Sequence, residues 1–223
     1  YRTLYGHFSS VRRVALTLGS NSMIGDLHVY DLEARTLTRL WGANDEVLAD
    51  VKLSDVEEIE YASSDGTRIQ GWVVKPPEFD PLKKYPLVLE IHGGPHTAYG
   101  VGFFHEFRVL AAAGYLVLFT NPRGSTSYGQ KFADCIQYKF PGVDYDDLMA
   151  GVDAGVARGR VDEARMGVTG GSGGGLLTNW IIGKTDRFAT AITQRCVSDW
   201  AAMFYTSDFA LFQPFWFRGA PWE

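Results

Sequence analysis

From about residue 85 onward, apolar runs alternate with stretches of helical spacing. The runs "PLVLEI" and "YLVLFT" have the length and composition of strands that are buried on both faces of a parallel sheet. Helical patterns follow in "FFHEFRVLAAAG", which ends at Gly114, and in "DYDDLMAGVDAGVARG", which has acids in its first turn and Arg158 in its last. Two more strands, "RMGVTG" and "FATAIT", flank the helix "GGLLTNWIIGK". The alternation predicts an α/β fold with a mainly parallel sheet, right-handed crossovers and flanking helices.

Residues 1 to about 60 show a different pattern, with short β elements separated by turns. Two β-rich runs flank a polar turn in "LHVYDLEARTLTRLW", and Asp65-Gly66 lies between "EIEYA" and "IQGWVV". Both patterns predict hairpins. Because one or two hairpins are only marginally stable alone, we expect residues 1–50 to belong to a larger β structure and residues 51–223 to form the α/β domain.

Composition excludes several classes of protein. The 223 residues are 46% hydrophobic and carry a net charge of −5 without a basic run, so a nucleic-acid surface is not expected. No apolar run approaches the roughly 20 residues that span a bilayer. Cys135 and Cys196 lack metal-like spacing and are predicted to be reduced core thiols, which favours a cytoplasmic location. The first residues contain neither an initiator Met nor a signal-peptide pattern, so we expect the chain to be a segment of a longer protein. No metal or cofactor is predicted, and a homo-oligomer stays open.

One serine is surrounded by glycines in "GVTGGSGGGLLTNW". Gly170 to Gly174 satisfies the pattern G-x-S-x-G between a predicted strand and a predicted helix. This is the place of a nucleophile elbow, in which Ser172 occupies a strained turn and Gly170 and Gly174 allow strand and helix to approach. The alternative is a flexible loop or a phosphate cradle, but no Lys follows in the position that a phosphate loop requires. The pattern therefore favours Ser172 as a nucleophile.

The stretch "EIHGGPH" matches the glycine-rich oxyanion loop that follows the third strand of α/β-hydrolases. Two backbone N–H groups must face the substrate oxygen as it gains charge, and we assign these donors to Gly94 and Gly173. His92 and His96 are more typical of loop bracing than of catalysis. Together, the two motifs predict a serine hydrolase.

Four stretches carry a resemblance to a known family: "DGTRIQGWVVKPP", "KYPLVLEIHGGPH", "NPRGSTSYGQKF" and "VTGGSGGGLLTNWIIGKTDRFATAITQRCVSDW". From about residue 55 to 223 the chain resembles the serine peptidases of the prolyl oligopeptidase family, in particular the acylaminoacyl-peptidase branch. The resemblance implies a β-propeller followed by an α/β-hydrolase domain, with residues 1–50 similar to the end of the last blade. It also implies that Ser172 is acylated, and that the family continues beyond both ends of this chain.

Gly173 departs from the family pattern, which usually has a bulky, often aromatic residue there. The backbone N–H survives, but the resemblance implies that a wall beside the nucleophile is lost.

Arg123, in the loop "NPRGSTSYG", could anchor a substrate carboxylate or carbonyl, or brace the loop through a buried ion pair. Three aspartates, Asp144, Asp146 and Asp147, are predicted to be helix N-terminal acids rather than a metal cluster.

The base that would activate Ser172 is not evident. Hydrolases of this fold carry the triad in the order Ser, acid, His, yet all five histidines precede Ser172. Asp186, Asp199 and Asp208 follow it, and none is assigned to a triad. We therefore expect the acid and the histidine to lie beyond residue 223, and the chain alone to be inactive.

The first functional hypothesis is a serine peptidase that cleaves short peptides, including N-acylated ones, through an acyl-enzyme without a cofactor. Two alternatives stay open. An esterase or lipase would share the oxyanion loop, whereas a non-catalytic family member would explain Gly173 and the missing histidine.

Overall fold

The computed structural model describes residues 2–5, 12–208 and 216–219; His7 lies outside these ranges. The first part of the chain forms a four-stranded antiparallel sheet in chain order. Its strands are β1 (Arg2–Tyr5), β2 (Arg13–Ser20), β3 (Met23–Asp31) and β4 (Thr36–Trp41). The predicted hairpin joins β3 to β4, and all six residues of β4 are exposed. A short helix, α1 (Asp45–Ala49), follows this sheet.

A six-stranded mixed sheet forms the larger part of the molecule. Its strands are β5 (Val56–Ala62), β6 (Arg68–Val74), β7 (Tyr85–Ile91), β8 (Leu116–Thr120), β9 (Val161–Gly171) and β10 (Thr190–Gln194). The spatial order is β10-β9-β7-β8-β6-β5, with the first four strands parallel and the last two antiparallel. The predicted Asp65-Gly66 hairpin joins β5 to β6, and Gly66 supplies the positive φ of 84°. The predicted α/β fold with a mainly parallel sheet is confirmed.

Five helices accompany this sheet in the described part of the chain. They are α2 (His105–Ala112), α3 (Gln130–Asp134), α4 (Val143–Ala157), α5 (Gly173–Ile182) and α6 (Trp200–Thr206). Helices α4 and α5 bury apolar side chains against one face of the sheet, whereas α2 covers the other. Strand β8 shows why the apolar runs are continuous: Leu116 and Leu118 join the cluster under α4, and Val117 and Phe119 join the cluster under α2.

Arg108 of α2 connects the two sheets. Its guanidinium donates a hydrogen bond to the carbonyl of Asn21, in the turn between β2 and β3, at 2.5 Å, and another to the carbonyl of Ser54. Burial lowers the pKa of Arg108, because the charged form loses water. The contact fixes the turn of the smaller sheet against the α/β part.

Two local predictions differ from the structure. The cysteines are free but not in the core: Cys135 is exposed after the short helix α3, and Cys196 is half-buried after β10, which has a neighbouring strand on one side only. The prediction of core thiols is therefore wrong. Arg158 caps α4 from the position just after its last residue, instead of lying within the last turn.

No helix among the described residues is long and apolar enough to cross a membrane.

Candidate active site

Ser172 occupies the sharp turn between β9 and α5. Its backbone lies at φ 59° and ψ −119°, a conformation that is costly for any residue other than glycine and that persists only where the surroundings enforce it. Two hydrogen bonds hold the turn: Ser172 N–H donates to the carbonyl of Gln194 in β10 at 3.0 Å, and Leu176 N–H donates to the Ser172 carbonyl at 3.0 Å. The side chain is exposed. The turn therefore presents a hydroxyl at the carboxyl edge of the parallel strands.

Gly170 and Gly174 permit the contact between this turn and β7. A Cβ on Gly174 would lie 2.1 Å from the carbonyl oxygen of Ile91, and a Cβ on Gly170 would lie 2.7 Å from the same oxygen. Both distances are far below an ordinary van der Waals contact, and the opposing atom is rigid backbone. Strand β7 and helix α5 can approach this closely only with glycine at both positions, which is the steric role expected from the sequence.

The oxyanion loop after β7 lies directly against the serine turn. A Cβ on Gly93 would lie 3.3 Å from Ser172 Cβ, and a Cβ on Gly173 would lie 2.4 Å from the carbonyl oxygen of Gly94. The space in which the family resemblance implies a bulky side chain is therefore filled by the peptide group of Gly94. Instead of a missing wall beside the nucleophile, the structure has a loop that packs onto the helix start.

The backbone N–H groups of Gly94 and Gly173 are available to a ligand. Within the described ranges, neither donates a hydrogen bond to another residue. Gly173 is the first residue of α5, where N–H groups lack intrahelical acceptors and the helix dipole favours negative charge. Gly94 has a φ of 116°, which only glycine adopts readily. This arrangement is suited to stabilising an oxyanion next to Ser172.

His92 and His96 connect the oxyanion loop to the loop that follows β8. His92 Nε2 lies 2.9 Å from the Ser125 hydroxyl, and its Nδ1 lies 2.7 Å from the carbonyl of Gly93. Burial lowers the pKa of His92, which favours the neutral ring. His96 Nδ1 donates to the carbonyl of Gly124 at 3.0 Å. These are bracing contacts, as the sequence analysis favoured.

Asn121 adds a second set of bonds between the same loops. Its side-chain oxygen accepts from Tyr99 N–H at 2.8 Å, and its amide group donates to the Tyr99 carbonyl at 3.0 Å. Thr126 N–H donates to the Thr97 carbonyl at 3.0 Å. The two loops therefore behave as one hydrogen-bonded unit beside Ser172.

Arg123 is held by a buried carboxylate, an exposed carboxylate and a buried hydroxyl. Its Nε and one terminal nitrogen form a two-pronged ion pair with Asp147 at 2.9 and 2.7 Å, and its other terminal nitrogen pairs with Asp65 at 2.5 Å. Ser63 accepts a further bond at 3.3 Å. The bonds to Asp147 are the main reason why the pKa of Arg123 is raised. Every nitrogen of the guanidinium is occupied, which favours the bracing alternative over contact with substrate.

The three aspartates at the start of α4 have separate environments. Asp146 is exposed in the first turn, as predicted for a helix N-terminal acid, whereas Asp144 and Asp147 are buried. Burial raises the pKa of Asp144 to about 6, although its carboxylate accepts a 2.5 Å bond from Gly142 N–H. Asp147 instead neutralises Arg123, so its prediction as a helix N-terminal acid is incomplete. In the described part of the chain, no group of three or more His, Cys, Asp or Glu side chains could hold a metal ion.

A cavity of about 370 Å³ opens beside the serine. Its lining combines the oxyanion loop with the segment after β10: Gly94, Pro95, His96, Ser172, Val197, Trp200 and Met203. Sequence reasoning missed the last three, because no catalytic motif marks them. Asp199, one residue before Trp200, accepts bonds from Ala201 and Ala202 N–H and caps α6. The cavity supplies an apolar surface next to the Ser172 hydroxyl and two N–H groups without acceptors among the described residues.

The sequence model of the prolyl oligopeptidase family matches residues 101–223. The chain belongs to this family. An uncharacterized peptidase, YuxL, of Bacillus subtilis is 48% identical over 179 residues, which are 80% of this chain and 27% of that protein. Dipeptidyl-peptidase 5 of Schizosaccharomyces pombe is 34% identical over 218 residues, which are 94% of this chain and 31% of that protein. The chain thus spans about a quarter to a third of the length of these relatives.

The solved structures show the same architecture. The acylaminoacyl peptidase of Pyrococcus horikoshii superposes with a TM-score of 0.90 at 27% identity, over 100% of this chain and 36% of that chain. The family assignment and the α/β-hydrolase fold expected from the sequence are both confirmed.

No histidine among the described residues forms a hydrogen bond with the Ser172 hydroxyl.

Proposed function

We propose that the whole protein is a serine peptidase and that Ser172 is its nucleophile. The observation that carries this proposal is an exposed serine in a strained turn, flanked by two N–H groups without protein acceptors. Ser172 Oγ attacks the peptide carbonyl carbon and gives its proton to a general base. The Gly94 and Gly173 N–H groups receive the oxyanion, and the loss of one such donor typically costs about 3 kcal/mol of barrier. The C–N bond then breaks, the amine leaves with the proton, and water hydrolyses the acyl-enzyme.

The general base in this proposal is a histidine oriented by a carboxylate, contributed by parts of the protein other than the residues described. Without such a base a serine hydroxyl is a weak nucleophile at neutral pH. The substrates proposed are short peptides, including N-acylated ones. Two features support this class: the likeness to proteins named as acylaminoacyl and dipeptidyl peptidases, and an apolar cavity large enough for one side chain.

Residues 1–50 are proposed to be the end of a β-propeller, and residues 51–223 the start of the catalytic domain. A four-stranded antiparallel sheet is the unit from which propeller blades are built. The exposed apolar side chains of β4, Leu37, Leu40 and Trp41, are suited to contact with an adjoining blade. We also propose a cytoplasmic location, which the two free cysteines support.

A fluorophosphonate probe tests the nucleophile in the full-length protein. We expect covalent labelling at Ser172, loss of labelling in Ser172→Ala, and unchanged labelling in Ser198→Ala, which alters a nearby exposed serine. A folded full-length protein that never labels would contradict the proposal and favour a non-catalytic family member. Turnover of peptide p-nitroanilides above that of p-nitrophenyl esters would separate a peptidase from an esterase.

A further inference from the structure

A second cavity, of about 180 Å³, lies at the opposite edge of the six-stranded sheet from Ser172. It opens where β7, β8 and β9 begin, whereas Ser172 follows the end of β9. The seven residues of β7, at roughly 3.3 Å per residue, place the two edges about 20 Å apart. The second cavity is therefore separate from the proposed active site.

The floor of this cavity is apolar and rigid. Val73, Leu87, Leu116 and Val161 line it and are at most 6% exposed. They belong to four different strands of the sheet, so their positions are fixed by the core itself. An apolar cavity of about 150 Å³ is large enough for one benzene molecule. The floor can therefore accept a group of about six carbon atoms.

The rim of the cavity carries three cations and one carboxylate. Lys75 and Arg158 both pair with Glu57, the lysine at 2.7 Å, and Lys75 Nζ also lies 5.3 Å from the centre of the Phe79 ring. The guanidinium of Arg160 forms no hydrogen bond or ion pair with another residue in the described part of the chain. After Glu57 is counted, the rim keeps an excess charge of two positive units, and Arg160 is the cation that is free to bind.

We propose that this cavity binds a small carboxylic acid, with its apolar group on the floor and its carboxylate on Arg160. A guanidinium matches a carboxylate with two parallel hydrogen bonds, and an arginine with no competing partner has both donors available. A free amino acid fits less well, because its ammonium group would face three cations and its only anionic neighbour, Glu57, is already paired. The ligand class is an apolar monocarboxylate without an amine.

Phenylacetate is the probe, and the full-length protein is titrated with it by calorimetry. We expect saturable binding, with 2-phenylethanol and acetate at least about tenfold weaker, because each lacks one of the two contacts. The same titration with phenylalanine reports the effect of the ammonium group. Phenylalanine should also bind more weakly than phenylacetate.

Two variants locate the site. Arg160→Gln removes the unpaired cation and should weaken phenylacetate binding at least about tenfold. Gly155→Leu should abolish binding, because Gly155 lines the cavity and a Cβ there would meet only Leu118 Cδ2, at 3.7 Å, which leaves room for a side chain to fill the space. Arg165→Gln is the matched control: it lies on β9, the strand that begins directly after Arg160, pairs with Asp162 at 2.7 Å, and does not line the cavity.

Fluorophosphonate labelling of Ser172 in each variant shows that the fold is retained, independently of phenylacetate binding. If phenylacetate does not bind, or if Arg160→Gln binds it as well as the parent protein does, the proposal is wrong. Equal affinity for phenylacetate and 2-phenylethanol would also overturn it, because the carboxylate would then have no role.

Discussion

On one side of Ser172, residues 92–99 and 121–128 form two loops joined by His92, His96 and Asn121 and anchored to α4 through Arg123. We call these loops the braced side. On the other side, residues 190–206 comprise the edge strand β10 and the segment up to α6, and we call them the edge side. The edge side contributes one backbone acceptor, the Gln194 carbonyl, to the serine turn. Ser172, the proposed nucleophile, is thus held between a hydrogen-bonded loop unit and a strand exposed to solvent.

This difference has an energetic consequence. Polar pairs that lie away from water are costly to break, because the remaining partner loses both its bond and its hydration. On an exposed strand, water replaces what a substitution removes. We therefore expect substitutions on the braced side and at the close contacts with β7 to be severe, and comparable substitutions on the edge side to be mild.

The largest effect is expected from Gly174→Ala. The added Cβ would lie 2.1 Å from the Ile91 carbonyl oxygen, so β7 and α5 must separate. We expect a loss of more than about 4 kcal/mol in the free energy of unfolding, measured by urea denaturation. Gly155→Ala in α4 is the control: its Cβ fits at 3.7 Å from Leu118, and it should be neutral or stabilise the helix by up to about 1 kcal/mol. Equal stability of the two variants would contradict the close-contact argument.

Asp147→Asn tests the buried ion pair of the braced side. It leaves the largely buried Arg123 guanidinium paired only with the exposed Asp65, so a loss of about 3–5 kcal/mol is expected from the same urea measurement. Asp65→Asn removes the exposed partner of the same guanidinium and should cost less than about 1 kcal/mol. If the two variants cost the same, burial does not distinguish the two partners and the comparison fails.

Gly173→Ala tests the packing of the oxyanion loop on α5. The new Cβ would lie 2.4 Å from the Gly94 carbonyl oxygen, and an exposed loop can shift, so we expect a cost of about 1–3 kcal/mol. Because the shift moves a proposed oxyanion donor, the rate of fluorophosphonate labelling should fall as well. Gly173→Tyr should be slower still. A faster reaction of Gly173→Tyr would show that the aromatic wall implied by the family is accommodated after all.

The sequence predicted the fold and the serine turn well, because both depend on local pattern: continuous apolar runs, glycines around one serine, and Asp-Gly in a hairpin. It could not choose between the two roles of Arg123, since the deciding partner, Asp147, is brought close by the packing of α4 and not by any spacing. The contact of Gly173 with Gly94 was also invisible, because it joins two backbones. Glu90 was a signal that could have been used: it is a lone carboxylate in "PLVLEI", a strand predicted to be buried on both faces.

Glu90, on β7 just before the braced side, makes the stability of the fold sensitive to pH. It lies on the α2 face of β7 and is 3% exposed, and one carboxyl oxygen has no hydrogen-bond partner in the described structure. Burial, helped by the nearby charge of Glu106, raises its pKa to about 8. The folded protein therefore keeps a proton that the unfolded chain releases above its ordinary pKa of 4.5. Between these two values the free energy of unfolding should fall as pH rises, by up to about 1.4 kcal/mol per pH unit.

Glu90→Gln should remove this dependence, because the amide has a similar shape and does not titrate. The measurement is urea denaturation at several pH values between about 5 and 8, with parent and variant compared at each. Glu106→Gln is a partial control: it removes the neighbouring charge and so lowers the pKa of Glu90 in the folded protein, and the decline should begin at the same pH as in the parent but level off at a lower pH. An identical slope in the parent and in Glu90→Gln would show that Glu90 is ionised in the folded protein.

The smallest effect is expected on the edge side, from Ile192→Thr in β10. Ile192 is 60% exposed, and threonine keeps the β-branched shape, so the cost should be below about 0.5 kcal/mol. Val168→Thr is the matched variant on the neighbouring strand β9, where the side chain is 2% exposed, and it should cost about 1–3 kcal/mol because a hydroxyl replaces a buried methyl group. In the full-length protein, a cost for Ile192→Thr that equals the cost for Val168→Thr would mean that another part of the protein covers β10. The edge side would then be as enclosed as the braced side, and the contrast between them would be confined to the residues described.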